Sequence, residues 1–261
     1  MSIHPTAIVA EGAVIAASCT VGPFCTVGPN VVLGEGCVLV SHVVLEGHTT
    51  FGARNKIFSF ACLGIAPQDL KYAGEPTRVE IGDETVIREY VTISRGTAGG
   101  GGVTRVGSNC LIMAYVHIGH DSVIGKGCIL PNGATLAGHV TVEDYVTLSA
   151  MAPVHQYCRI GRYAYIGGGT TITQDVLPYS LVSAERNNHV FGLNKVGLQR
   201  RGFTPEQLRE LGTAMRLLTS GKRNTSQAVA EINDMLASGA GDEHVKYLAE
   251  FAAGSERGVI K

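Results

Sequence analysis

Apolar residues recur at every sixth position over most of the chain, and this period constrains the fold more than any other feature of the sequence. It fits neither the 3.6-residue period of an α-helix nor the two-residue period of an isolated strand. The positions are Ile3, Val9, Ile15, Val21, Val27, Leu33, Leu39, Leu45, Phe51, Ile57 and Leu63, then Ile81, Ile87 and Ile93, then Val106, Ile112, Ile118, Ile124, Leu130, Leu136, Val142, Leu148, Val154, Ile160, Ile166 and Ile172. A short strand followed by a corner satisfies this period, and three such units close a triangular coil.

Stacked coils of this kind predict a mainly β fold, a parallel β-helix whose inward apolar residues form ladders at the inter-strand spacing of about 4.8 Å. Glycine often follows the ladder residue, where it suits a corner. Six of the seven cysteines lie two positions before a ladder residue, a slot that alanine or threonine fills in other repeats. We therefore interpret the cysteines as small packing residues rather than as disulfides or metal ligands.

Two polar segments interrupt the repeat. The segment IAPQDLKYAGEPTRVE follows Leu63, and the glycine-rich segment SRGTAGGGGVTR follows Ile93. Loops on a rigid repeat scaffold commonly carry functional residues. Two interpretations of the first segment remain open. It could be a polar clamp for a sugar, formed by Asp69, Lys71 and Glu75, or an ordinary solvated loop.

The end of the chain has a different pattern from the repeat. The residues Thr-Pro-Glu-Gln at 204–207 match a helix capping box with proline at the first helical position, and amphipathic helical patches follow. We predict two domains, a β-helix at 1–190 and a C-terminal helical domain at 191–261.

Composition excludes several classes of function. The formal net charge is −1 and the pI is about 6.7, which argues against a nucleic-acid-binding protein. The sequence contains no apolar run of the roughly 18 residues that a membrane-spanning helix needs. The first residues lack the basic and apolar regions of a signal peptide, so we expect a cytoplasmic protein.

Four of the nine histidines lie close together in the later coils, namely His117, His120, His139 and His155. One coil after His120 is position 138 and two coils after it is position 156, so we expect three histidines near one edge of successive coils. Three interpretations remain open: corner histidines that only hydrogen-bond a neighbour, a zinc site, or a general base whose tautomer is fixed by Asp121 or by a backbone carbonyl.

A basic cluster follows the repeat. Between residues 191 and 225, seven lysines and arginines stand against two glutamates. Such a cluster could bind a phosphate or an acidic protein, and it could also be a solvated helical face.

The segments QDLKYAGEPT, AYVHIGHDS, LAGHV, PVHQYCRIG and GLQRRGF together resemble the acyl-carrier-protein–UDP-N-acetylglucosamine O-acyltransferase family. The resemblance spans both predicted domains. It implies a left-handed β-helix, a homotrimer with its pocket between subunits, and no cofactor or metal. The implied partners are acyl carrier protein and UDP-N-acetylglucosamine, and the implied reaction is the first step of lipid A biosynthesis.

The same resemblance implies roles for individual residues. His120 would be the general base, Asp121 its orienting partner, and the backbone N–H of Gly138 the oxyanion donor. The implied substrate contacts are Gln68, Asp69, Lys71, His117, His139, His155, Gln156, Gly168, Asn194, Arg200 and Arg201. Gly168 stands where the family gauges acyl length, and a glycine there implies room for a long chain.

Some features depart from the family pattern or leave other functions open. Val196 stands where an acidic residue is expected near the uracil. Some relatives acylate a 3-amino UDP-sugar and form an amide. A sibling acyltransferase acting on 3-O-acylated glucosamine carries an extra domain before its β-helix, whereas the repeat here starts at Ile3. A zinc lyase of carbonic-anhydrase type and a non-catalytic β-helix module are the remaining alternatives.

Overall fold

The computed structural model describes residues 2–185 and 187–261, and the described part of the repeat forms a prism with three parallel sheets. The first sheet contains Ser2–Ile3, Thr20–Val21, Val38–Leu39, Lys56–Ile57, Val86–Ile87, Leu111–Ile112, Ile129–Leu130, Thr147–Leu148, Tyr165–Ile166, Ser180–Glu185 and Asn187–Leu193. The second contains Ile8–Val9, Thr26–Val27, Val44–Leu45, Cys62–Ile65, Thr92–Ser94, His117–Ile118, Thr135–Leu136 and Pro153–Val154. The third contains Val14–Ile15, Val32–Leu33, His48–Phe51, Arg78–Ile81, Val103–Val106, Val123–Ile124, Thr141–Val142 and Arg159–Ile160.

The strands stack in strict register because each coil repeats the same apolar position. Ile57, for example, pairs with Leu39 on one side and Ile87 on the other. From Val21 onward the ladder residues are buried in the prism, and the corner cysteines are buried beside them. All seven cysteines are free thiols. The predicted mainly β, parallel β-helix with C-terminal helices is confirmed, and so is the packing role of six of the cysteines.

Two loops leave the prism at the same edge. The first loop, 66–77, joins a strand of the second sheet to one of the third, and so does the second loop, 95–102, one coil later. The second loop contains a short 3-10 helix, Ala98–Gly100. We call this edge the second–third edge. In the next coil it carries His120 and Asp121, so chain topology places both loops beside the histidines.

The C-terminal part extends the prism and then becomes helical. An antiparallel hairpin of Ser180–Glu185 and Asn187–Leu193 continues the first sheet. The helices are α1 (Lys195–Arg200), α2 (Pro205–Thr219), α3 (Thr225–Ala237) and α4 (Glu243–Ala253). The predicted division between residues 190 and 191 stays a prediction, and that point lies inside the second hairpin strand.

The helices pack on one another through a second apolar cluster. The predicted capping box at α2 is confirmed, since the Thr204 side chain accepts from the Gln207 backbone and the Gln207 side chain accepts from the Thr204 backbone. Among the helices that the structure describes, none combines the length and apolar character that a membrane-spanning segment requires.

Candidate functional site

The second–third edge brings three side chains into line, one from each of three successive coils. Asp121, His139 and Tyr157 occupy the same corner position and have φ values of 59°, 60° and 65°. The His139 N–H donates to the His120 carbonyl oxygen at 2.9 Å, which locks adjacent corners together. The repeat therefore holds side chains at this edge about one strand spacing apart.

His120 and Asp121 form a half-buried pair. His120 Nδ1 lies 2.8 Å from Asp121 Oδ2, and the side chains are 18% and 0% exposed. Because the carboxylate accepts from Nδ1–H, the neutral imidazole keeps its lone pair on Nε2. This is the tautomer that a general base needs.

Gly138 faces the His120 ring from the next coil. A Cβ atom at position 138 would lie 2.6 Å from both Cε1 and Nε2 of His120, closer than any side chain tolerates. A glycine is therefore needed here for the ring to keep its position. Within the described residues, the Gly138 N–H has no hydrogen-bond acceptor, so a donor is available next to Nε2.

The second loop surrounds the Asp121 carboxylate. The Thr97 backbone N–H donates to Asp121 Oδ1 at 2.9 Å, and the Thr97 hydroxyl donates to Oδ2 at 2.6 Å. The Asp121 N–H in turn donates to the Thr104 hydroxyl at 2.8 Å. The sequence indicated that this loop could be functional but did not single out either threonine.

Two further histidines lie against His120. His117 Nδ1 is 2.8 Å from the Thr92 hydroxyl, and burial, followed by the proximity of His120, lowers the pKa of His117. The His139 ring meets the His120 ring edge-on at a centroid distance of 5.0 Å. The structure thus brings the predicted residues His117, His120, Asp121, Gly138 and His139 together.

His155 does not join this ring contact. The Tyr157 ring stacks on His139 at 4.5 Å, in the position where the coil arithmetic suggested a third histidine. His155 and Gln156 are exposed at the same edge, and His155 Nδ1 lies 3.2 Å from the Gln156 carbonyl oxygen. The reason is the register of the coils: Tyr157, and not His155, occupies the left-handed corner position equivalent to His139.

The first loop carries Gln68, Asp69 and Lys71 at the same edge but without a hydrogen bond to the histidines in the described residues. Asp69 Oδ1 accepts from the Lys71 backbone N–H at 3.0 Å, which shapes the turn. All three side chains are at least partly exposed. Arg95, at the start of the second loop, donates to the Tyr72 hydroxyl at 2.8 Å and so ties the two loops together.

Asn194, Arg200 and Arg201 lie elsewhere, around a cavity of about 800 Å³ on the outer face of the first sheet. The Asn194 side chain caps α1 by accepting from the Gly197 N–H and also donates to the Tyr163 carbonyl oxygen. The Arg201 guanidinium lies 4.3 Å from the centre of the Tyr145 ring. In a three-sided prism the first sheet is opposite the second–third edge, so one chain does not unite these residues with His120.

Gly168 is exposed, and a Cβ atom there would meet only the Ala150 carbonyl oxygen, at 3.6 Å. A Cβ atom at position 168 is therefore tolerated within one chain, and the predicted role of Gly168 in gauging the acyl chain stays a prediction.

Metal binding is the main chemical alternative for the edge. His120, Asp121 and His139 each offer a ligand atom within 4.8 Å of the others, a donor set that suits zinc. Both Asp121 oxygens, however, already accept hydrogen bonds, two from Thr97 and one from His120. A metal ion on Oδ2 would compete with the Thr97 hydroxyl and His120 Nδ1–H for the two lone pairs of that oxygen, so the observed bonding is that of a carboxylate that orients an imidazole.

Comparison with known proteins gives consistent results along the chain. Residues 175–260 match a family model described as UDP N-acetylglucosamine O-acyltransferase, domain 2. Residues 12–47 and 104–138 match a model described as bacterial transferase hexapeptide (six repeats).

Individual relatives match over almost their whole length. The chain is 49% identical to the acyl-[acyl-carrier-protein]–UDP-N-acetylglucosamine O-acyltransferase of Anaeromyxobacter sp. over 100% of both chains. The protein of the same name from Xylella fastidiosa is 45% identical, over 99% of this chain and 97% of that one. The solved UDP-N-acetylglucosamine acyltransferase of Francisella novicida superimposes with a TM-score of 0.95 at 41% identity, covering 99% of this chain and 93% of that one.

Proposed function

Because the chain belongs to the acyl-[acyl-carrier-protein]–UDP-N-acetylglucosamine O-acyltransferase family, we propose that it moves a 3-hydroxyacyl chain from acyl carrier protein to the 3-hydroxyl of UDP-N-acetylglucosamine, with His120 as general base. We assign this reaction to the first step of lipid A biosynthesis, in the cytoplasm. The observation that carries the mechanism is the His120–Asp121 pair, whose free Nε2 lies beside an unused backbone donor.

In this mechanism, His120 Nε2 takes the proton of the sugar hydroxyl as its oxygen attacks the thioester carbonyl. A sugar alcohol is hardly ionised near neutral pH, so a positioned base contributes roughly 10² to 10⁴ in rate. Asp121 holds Nδ1–H and stabilises the imidazolium that forms.

The tetrahedral intermediate carries a negative charge on the former carbonyl oxygen. The Gly138 N–H is the proposed donor to that oxygen, and a donor of this kind is typically worth about 10² to 10³ in kcat. When the intermediate collapses, the carbon–sulfur bond breaks, and the imidazolium returns its proton to the departing thiolate. The products are the sugar ester and the free carrier thiol.

The test uses a mixed pool of 3-hydroxyacyl carrier proteins with UDP-N-acetylglucosamine and identifies the product by mass spectrometry. We expect a UDP-sugar bearing one 3-hydroxyacyl ester, and the product mass reports the preferred chain length. His120→Ala should lower kcat by about 10² to 10⁴. His42→Ala, which removes an exposed histidine from another edge, is the matched control. A wild-type rate in His120→Ala would remove His120 as the base.

We further propose that the complete site forms between subunits of a homotrimer. The support is the position of the two groups of predicted residues on opposite sides of one prism: His120 on the second–third edge, and Arg201 on the first sheet. A neighbouring copy that presents its first-sheet face to the second–third edge would bring the basic residues toward the sugar nucleotide. Asn194, Arg200 and Arg201 would then contact the nucleotide, and Gln68, Asp69 and Lys71 the sugar.

Complementation between inactive variants tests this arrangement. His120→Ala and Arg201→Ala are each expected to be weakly active alone. After the two variants are unfolded together and reassembled, about one quarter of the sites should combine an intact His120 with an intact Arg201 and recover activity. Mixed oligomers that form but stay inactive would contradict a shared site.

A further inference from the structure

We propose that Thr97 is a positioning residue of the reaction, which acts by holding the Asp121 carboxylate that orients His120. This inference rests on the proposed role of His120. Thr97 lies in the second loop and donates to both Asp121 oxygens, with its backbone N–H to Oδ1 and its hydroxyl to Oδ2.

The carboxylate is completely enclosed by this contact. The Asp121 side chain is 0% exposed, and within residues 2–185 and 187–261 its carboxylate accepts three hydrogen bonds, two from Thr97 and one from His120. Hydrogen bonds to a buried charged group are among the stronger ones in proteins, and a lost partner is not replaced by water. The orientation of the carboxylate, and with it that of the imidazole, therefore depends on where the loop holds residue 97.

The loop is built to approach the carboxylate closely. A Cβ atom at Gly100 would lie 2.1 to 2.5 Å from the Asp121 carboxyl atoms, and one at Gly96 would lie 2.8 Å from Oδ1. The glycines on either side of Thr97 thus let the backbone wrap around the carboxylate. The Thr97 hydroxyl also accepts from the Gly100 N–H at 3.2 Å, which directs its own hydrogen toward Asp121.

The loop is also fixed at its base. Arg95 donates to the Gly64 carbonyl oxygen at 2.8 Å and to the Tyr72 hydroxyl of the first loop at 2.8 Å. The segment that holds Asp121 is therefore anchored to the coil below and to the loop that carries the predicted sugar contacts. The hydrogen bonds of Arg95 therefore help to hold Thr97 in position.

The experiment compares Thr97→Val with Thr97→Ser. Valine keeps the shape and the backbone N–H but removes the hydroxyl, and serine restores it. We expect kcat of the valine variant to fall about 10- to 100-fold while KM for UDP-N-acetylglucosamine changes by less than about twofold. The serine variant should recover most of the rate.

The pH dependence of kcat separates positioning from a general loss of folding. The Thr97 hydroxyl bond is one of the three hydrogen bonds that fix Asp121 beside His120. A positioning role therefore predicts that the pH–rate profile of Thr97→Val differs from that of the wild type and that Thr97→Ser restores it. His117 and His139 are the other titratable groups beside His120, and both remain intact in these variants.

Thr49→Val is the matched control, because Thr49 is also buried and its hydroxyl donates to the Glu46 carbonyl oxygen at 2.6 Å, away from Asp121. It should lose comparable thermal stability and keep kcat and the pH profile. Gly100→Ala, which pushes the same carboxylate, should lower kcat as Thr97→Val does.

A wild-type kcat and profile in Thr97→Val, with His120→Ala inactive, would overturn the role of Thr97 alone. A rate loss that Thr97→Ser does not restore, or that Thr49→Val shares, would also overturn it. Full activity of His120→Ala would instead remove the general base, so the two failures are distinguishable.

Discussion

Two edges of the same prism share one backbone geometry but differ in their side chains: one carries a row of stacked rings, and the other carries the His120–Asp121 pair. The edge between the first and second sheets presents Phe24, His42, Phe60, Tyr90 and Tyr115 at left-handed corner positions, and their rings stack at centroid distances of 4.9 to 5.0 Å. The second–third edge has the same corner conformation at Asp121, His139 and Tyr157, but it also carries two loops and the half-buried, hydrogen-bonded His120–Asp121 pair.

The difference shows which part of the site the repeat supplies. Stacking of coils sets a spacing near 5 Å for whatever side chain the corner carries, aromatic or ionisable. The second–third edge differs because the second loop there encloses a carboxylate and because Gly138 leaves room for the His120 ring, and these two features support the proposed reaction. The stacked rings of Phe24, His42, Phe60, Tyr90 and Tyr115, which we call the ring ladder, have the same spacing of about 5 Å, but no loop in the described part of the chain encloses them.

Adding a methyl group at each edge tests this view, with the larger effect expected at the second–third edge. In Gly138→Ala the new Cβ would lie 2.6 Å from His120 Nε2, so the ring must move. A displacement of about 1 Å can cost about 10²-fold in rate, and we expect kcat to fall by that order. Steady-state kinetics with the carrier thioester measures it.

Gly133→Ala is the counterpart on the first–second edge. Gly133 has φ of 70°, and its Cβ would meet the Met151 Sδ at 2.5 Å, so this variant also strains a corner. It should lower the melting temperature and leave kcat unchanged. Equal loss of kcat in both variants would mean that any strained corner impairs the enzyme, and that the second–third edge is not special.

The sequence predicted the parts of this contrast that follow from periodicity. Ladder residues such as Ile118 could be assigned because burial recurs every sixth position, and the two loops could be located because they break that period. The pairing of His120 with Asp121 followed from the family resemblance. The identity of the residue that holds the carboxylate did not, because Thr97 reaches it through a loop conformation that no repeat dictates.

The stacking of Tyr157 on His139 was not predicted from the sequence for the same reason. Coil arithmetic put His155 within one residue of position 156, two coils after His120, but the residue that stacks on His139 is Tyr157, two positions after His155. The six-residue period predicts which coil and which edge of the prism a residue belongs to. It does not predict which ring the side chain contacts, because that depends on the backbone conformation at the corner.

A smaller effect is expected from pH, because His117 is partly buried beside the pair. Its pKa is lowered in the folded state, mainly by burial, so the unfolded chain binds more protons than the folded one below the ordinary histidine value of about 6.5. Stability should therefore be fully present above that pH and decrease as the pH falls toward the lowered pKa. Thermal melts across this range should show the decrease in the wild type and a flatter profile in His117→Asn.

His42→Asn provides the comparison from the exposed ladder, since its ring lies between Phe24 and Phe60. We expect it to keep the pH slope of the wild type. If His117→Asn keeps the full slope as well, other groups account for the acid sensitivity, and the buried histidine does not distinguish this edge.

The smallest effect is expected from the ring ladder itself. Tyr90 stacks on Phe60 and on Tyr115, both at 5.0 Å, and is 46% exposed. Aromatic pairs of this kind contribute about 0.5 to 1.5 kcal/mol each, so Tyr90→Ala should lower the free energy of unfolding by about 1 to 2 kcal/mol. A double-mutant cycle with Tyr115→Ala should return a coupling energy of about 1 kcal/mol.

The kinetic result of Tyr90→Ala matters more than its stability cost. If the ladder is only a stack of rings on a shared scaffold, kcat and the pH–rate profile must stay those of the wild type. A loss of rate without a loss of folded protein would show that the first–second edge takes part in the reaction. Enclosure by the two loops would then not explain why the proposed reaction belongs to the second–third edge and not to the ring ladder.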